Sequence, residues 1–117
     1  MSESSRIAPL SQGVFYVATG LWPIIHLRSF EKVTGPKVDK WLVRTFGGLV
    51  AAVGVTLIVG SFEKRPSRAL EVLGLGSALA LGAADLVYSL RGRISKVYLA
   101  DAGAEAALAA TWALTRN

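Results

Sequence analysis

The chain has 117 residues, 52% of them hydrophobic and 18% charged, where a soluble domain averages about 25% charged. It holds no cysteine, one histidine and a net charge of +5. That composition excludes a disordered tail, a disulfide scaffold, a thiolate metal site and thiol chemistry, and the length allows a single domain, taken as 1–117. The 13 basic residues form no patch of the kind that binds nucleic acid. Five lie in 28–44, three in 64–68 and three in 91–96, with Arg6 and Arg116 near the ends. Basic clusters separated by uncharged stretches are the punctuation of a multispan membrane protein.

The first predicted span is 8–27, which carries no formal charge but includes Pro9, Gln12 and Pro23. Gln12, Tyr16, Thr19, Pro23 and His26 recur at helical spacing and trace one polar stripe, which in lipid must face protein or water. The preceding MSESSR lacks the pattern of a cleavable leader, so this span is expected to direct insertion itself. Residues 28–44 (RSFEKVTGPKVDKWLVR) mix five basic residues with Phe30, Val33, Val38, Trp41 and Leu42, the composition of a membrane interface. Gly35 and Pro36 signal a turn, and Pro36 is expected to open a short amphipathic segment leading into the second span. The Gly-Pro-Lys tripeptide lacks the rest of a phosphate loop and carries no nucleotide reading.

The second span, 45–62, is 18 uncharged residues between Arg44 and Glu63. It has no polar face to offer water, which a soluble four-helix bundle would need. Gly47/Ala51 and Gly48/Ala52 place small residues four apart, as close helix packing in lipid requires. After a short link containing Pro66 and a predicted N-cap, Ser67, the third span runs over 69–90, with Gly76/Ala80 and Ala78/Gly82 as packing pairs and Glu71 and Asp85 as its acids. The fourth, 97–114, is rich in alanine and carries Asp101 and Glu105. Short connections make antiparallel neighbours, so the expected fold is an all-α integral membrane four-helix bundle running up-down-up-down. A soluble or peripheral bundle is the alternative, because the first and fourth spans are less apolar than the others. The basic residues favour the first and third loops in the cytoplasm and both termini outside.

Helical rise places His26, Arg44, Asp85, Asp101 and Glu105, from four different spans, toward the end of the bundle that carries the first and third loops. With Tyr16 they form the predicted polar intramembrane cluster. Ionisable groups inside a span are costly and mark either a solute or proton path or a set of interhelical pairs. The pairs to expect are Asp85 or Asp101 with Arg44, Arg91 or Arg28, and Glu71 with Lys64 or Arg68. Asp85 and Glu105 are expected to point inward and to share His26, Tyr16 or Arg44 as partners. A single histidine without cysteine argues against a metal site, no nucleophile elbow or triad is present, and no cofactor is expected. Trp22, Trp41 and Trp112 fall near span ends, where tryptophan anchors helices.

The run Gly20-Leu-Trp-Pro-Ile-Ile-His26 and the run Thr34-Gly-Pro-Lys-Val-Asp-Lys-Trp-Leu-Val-Arg-Thr45, with Asp85, Tyr88, Arg91 and 98–105, resemble a group of small four-span bacterial membrane proteins. The resemblance covers most of the chain. It implies a bacterial inner-membrane location and supplies no activity or catalytic residue. The expected role is a non-enzymatic scaffold or accessory subunit, in the bilayer as a homo-oligomer or within a larger membrane complex. A transporter or channel component working through Asp85 and Glu105 is the second reading, and an enzyme acting on a lipid or quinone the third.

Overall fold

The computed structural model describes residues 3–64, 67–92 and 94–115, with side chains from Ser5 onward; Arg65, Pro66, Arg93 and Arg116 lie outside the described residues. The described chain is all α-helix: α1 Glu3–Ile25, α2 Leu27–Thr34, α3 Lys40–Ser61, α4 Arg68–Leu90 and α5 Tyr98–Thr115. Four long helices thus overlie the four predicted segments. Ser67 caps α4, its side chain accepting the Leu70 N–H. Pro9 and Pro23 are both accommodated within α1.

The amphipathic segment lies before the Gly35-Pro36 turn, not after it. His26 ends α1 and at once caps α2, its Nδ1 accepting the Ser29 N–H at 3.1 Å. Gly35 stops α2 with φ +97°, a left-handed value that favours glycine, and donates its N–H to the Glu31 carbonyl. Pro36 follows the helix end and begins none.

Helix α1 packs antiparallel along α3, α4 packs along α5, and α1 joins the two pairs through α5. The consecutive helices α3 and α4 meet near their short link, where Gly60 lies against Leu70. The reason is glycine: a Cβ on Gly20 would strike the Gly47 carbonyl oxygen, and one on Gly54 would lie 2.7 Å from the Gly13 carbonyl oxygen. Backbones this close hold α1 against α3 more tightly than side-chain packing allows elsewhere.

Of the predicted packing pairs, Gly47 and Ala51 are buried against α1, and Ala78 is buried on α4 with Gly82 facing the Glu105 Cβ. The other two pairs need correction. Ala52 is exposed, and a Cβ on Gly48 would come no closer than 3.8 Å to Ile24; Gly76 and Ala80 are exposed, and Gly76 has no neighbour within 4 Å. Gly76 is two positions from Gly74, about 200° round the helix, and it is Gly74 that receives the Trp112 indole.

The interior is unusually polar. Gln12, Ser61, Ser89, Asp85 and Glu105 are buried, while Leu49 (61% exposed), Val59 (63%), Val72 (64%) and Leu79 (62%) are not. Helices α3 and α4 are each long and apolar enough to cross a membrane, yet only 22% of either apolar stretch is buried. Helices α1 and α5 do not reach that standard; each carries a buried polar side chain, Gln12 on α1 and Glu105 on α5.

Candidate functional site

At the end of the bundle carrying the first and third loops, a cavity of about 680 Å³ opens among all five helices. Its walls combine aromatic side chains, Phe15, Trp22, Phe30, Phe46 and Tyr98, with the carboxyl groups of Asp85, Asp101 and Glu105. Tyr16, Thr19, Thr34 and Lys37 complete its polar part.

Helix α2 and the turn after it form one side of the cavity and are fixed by local bonds. Trp22 Nε1 donates to Ser29 Oγ at 2.9 Å, and the Trp22 and Phe30 rings meet edge-to-face with centroids 5.3 Å apart. Glu31 Oε2 accepts the Lys37 N–H at 2.8 Å, and its Oε1 lies 3.5 Å from Lys40 Nζ. The Lys37 N–H first, and the Lys40 and Lys37 charges after it, hold the Glu31 carboxyl below its ordinary value of 4.5. A depressed carboxylate stabilises the fold above the unfolded pKa and loses that contribution as pH falls through the folded pKa. Protection of the Lys37 amide, corrected for intrinsic exchange, is therefore expected to be constant near neutrality and to fall at pH below 4.5. In Glu31→Gln it should be weaker and insensitive to acid. An acid-dependent loss that persists in Glu31→Gln would assign the effect to another group.

Lys37 Nζ donates to the Thr34 carbonyl at 3.0 Å and stands 5.1 Å from the Tyr98 ring centroid and 5.8 Å from that of Phe30. One ammonium group is thus already seated over the aromatic wall. Opposite, α1 supplies two buried side chains one helical turn apart. Tyr16 donates its hydroxyl to Glu105 Oε1 at 2.7 Å. Gln12 accepts the Trp112 indole N–H at 2.6 Å and donates to the Gly74 carbonyl at 2.9 Å, which ties α1, α4 and α5 together below the cavity floor. Asp85 is also buried, and its Oδ2 has no hydrogen-bond partner. Asp101, one turn before Glu105, is half-buried beside it.

The structure thus brings Tyr16, Asp85, Asp101 and Glu105 to one cavity and leaves His26 and Arg44 outside it. His26 is exposed and occupied in capping α2; Arg44 is exposed on α3. Among the described residues Asp85, Asp101 and Glu105 form no ion pair, so the expected pairing with Arg28, Arg44 or Arg91 is absent there. Glu105 takes Tyr16 as its partner, and Asp85 takes none of the three expected. Trp112 is a buried donor, not an interfacial anchor, whereas Trp41 is 68% exposed. Sequence reasoning missed Lys37 and the link from Gln12 to Trp112. The signal for the second was a lone tryptophan in an alanine-rich helix that faces the Gln12 stripe.

Comparison with protein-family models, with curated proteins and with solved structures finds no match to this chain.

Proposed function

We propose that the chain is a four-span integral protein of a bacterial inner membrane, with α1, α3, α4 and α5 crossing the bilayer, and that it works by holding a small solute in the cavity between them. Helices of 18 to 23 residues rise about 27–35 Å at 1.5 Å per residue, close to the ~30 Å of a hydrocarbon core. The observation that carries this reading is the inverted polarity that ends in a walled site: leucine and valine outside, glutamine, serine and two carboxyl groups inside, and an apolar cavity at the loop end of that polar interior. Water favours the reverse distribution, and lipid requires intramembrane acids to face the bundle. A scaffold needs no such cavity, which puts solute binding ahead of a purely structural role. Gly76 and Ala80, turned outward on α4, suit contact with a second copy or a partner subunit, and movement of a solute across the bilayer would fall to that assembly.

The absence of cysteine makes single-cysteine mapping clean. In intact spheroplasts a membrane-impermeant maleimide is expected to label Lys64→Cys. Val38→Cys and Lys96→Cys should react only after permeabilisation, and Ala104→Cys, on the cavity wall, should follow them. The reverse pattern would invert the orientation and leave the spans intact. Equal labelling of all four in intact spheroplasts, or extraction of the protein by carbonate, would overturn the membrane reading.

A further inference from the structure

The wall of the cavity is built from opposed chemistries that one class of ligand satisfies together. Among its lining residues three carboxyl groups stand against one ammonium, that of Lys37, and Lys37 is engaged with the Thr34 carbonyl. Glu105 has Tyr16 as a donor. Asp85 is 8% exposed, and its Oδ2 is buried without a partner. The hydrogen-bonding neighbour of Asp85 is a second carboxyl, that of Asp101, and buried carboxyl groups set together without a cation are costly, a cost that a cation from outside relieves. Among the described residues no group of three or more acidic or histidine side chains is placed to hold a metal ion, whereas an organic cation needs only one counter-ion. The rest of the wall is aromatic and aliphatic, and Lys37 already sets a cationic nitrogen over the rings of Tyr98 and Phe30. At about 680 Å³ the space suits a small organic molecule, whose sites typically run from ~300 to 1,000 Å³.

We propose that this cavity binds an amphiphilic organic cation, a positively charged nitrogen or phosphorus centre on an apolar body, with Asp85 as its counter-ion and the aromatic wall receiving the body. The inference rests on the cavity being a solute site and names the class of solute. The charged centre can belong to a free molecule or to the ammonium headgroup of a lipid, and the same chemistry recognises both.

Two ions of matching shape and opposite charge separate charge from greasiness. The protein in non-ionic maltoside micelles, which hold no ammonium group, is titrated with tetraphenylphosphonium and with tetraphenylborate, empty micelles being subtracted. The expected result is saturable binding of the phosphonium, none of the borate, and affinity at least about tenfold lower in Asp85→Asn, a loss of ~1.4 kcal/mol or more. Asp85→Glu, which keeps the charge, should retain binding, and it decides the matter if the asparagine variant elutes as aggregate. Adding phosphatidylethanolamine or phosphatidylcholine to the micelles separates the two sources: competition with the phosphonium identifies a lipid ammonium, and no competition a free cation. Equal binding of both ions, no saturable phosphonium binding, or a folded Asp85→Asn with unchanged affinity would each overturn the proposal. If the cysteine map holds while the charge preference fails, the solute-binding reading survives and only the ligand class falls.

Discussion

Gly20→Ala is expected to destabilise the protein by about 1–3 kcal/mol, although it adds a single methyl group. That methyl would meet the Gly47 carbonyl oxygen and the Ala51 backbone nitrogen, atoms of a helix that cannot turn aside as a side chain can. The two helices would have to part, and the contacts on either side, Gly13 with Gly54 and Pro23 with Gly47, would open with them. In the bilayer proposed above, lipid would not drive the apolar faces back together as water does, and close packing would be what holds such a pair. Unfolding in detergent, followed by tryptophan fluorescence and by helix content, measures the loss. Gly76→Ala is the control: it adds the same methyl where nothing lies within 4 Å, and should be neutral or mildly stabilising through helix propensity. Equal stability of Gly20→Ala and Gly76→Ala would show that α1 and α3 do not rely on backbone contact.

The second large effect is expected at Gln12, where leucine is close in size but cannot hydrogen-bond. Gln12→Leu strands the Trp112 indole N–H, buried at the helix junction. It also removes the donor to the Gly74 carbonyl. Leaving one buried donor unpaired costs about 1–3 kcal/mol. Trp112→Phe removes the stranded donor as well as its own packing on Gly74. The double variant should therefore be more stable than the sum of the single losses predicts, by about 0.5–1 kcal/mol or more, as for residues in direct contact. Strict additivity would mean that the hydrogen bond contributes nothing and that Trp112 acts by packing alone.

The number and order of the long helices and the identity of the acids at the cavity were legible in the sequence, because both follow from one-dimensional spacing, whereas α1 and α3 each begin five residues before the expected bound. An uncharged stretch bounded by charges defines 45–62 without reference to any neighbour. Asp85 and Glu105 stand out because a carboxyl group in an apolar helix has few places to go. The polar stripe on α1 also placed Gln12 and Tyr16 on the inward face, where both are buried. What spacing could not supply was the choice between equivalent faces. Gly47/Ala51 and Gly48/Ala52 have the same pattern, as do Ala78/Gly82 and Gly76/Ala80, and only the angle at which α1 and α5 approach selects one of each.

Partner choice was hidden for the same reason. Depth along a helix put His26 and Arg44 level with the acids, but a shared level says nothing about direction round the axis. His26 is spent locally in capping α2, a bond to Ser29 three residues away, and Arg44 is turned outward. The position of α2 depended on a contest between two turn signals, Pro36 as a helix start and His26 as a cap. The cap prevailed because the bonds between Trp22 and Ser29 and between Glu31 and Lys37 close the segment on itself. By itself, then, the sequence determined helix content, helix order and the polarity of each face, which are properties of single elements. The pairing of α1 with α3, the Gln12 to Trp112 link and the cavity beside which Asp85 Oδ2 has no hydrogen-bond partner were decided only in the tertiary structure, because each depends on side chains from different helices meeting at a distance and angle that no one helix encodes.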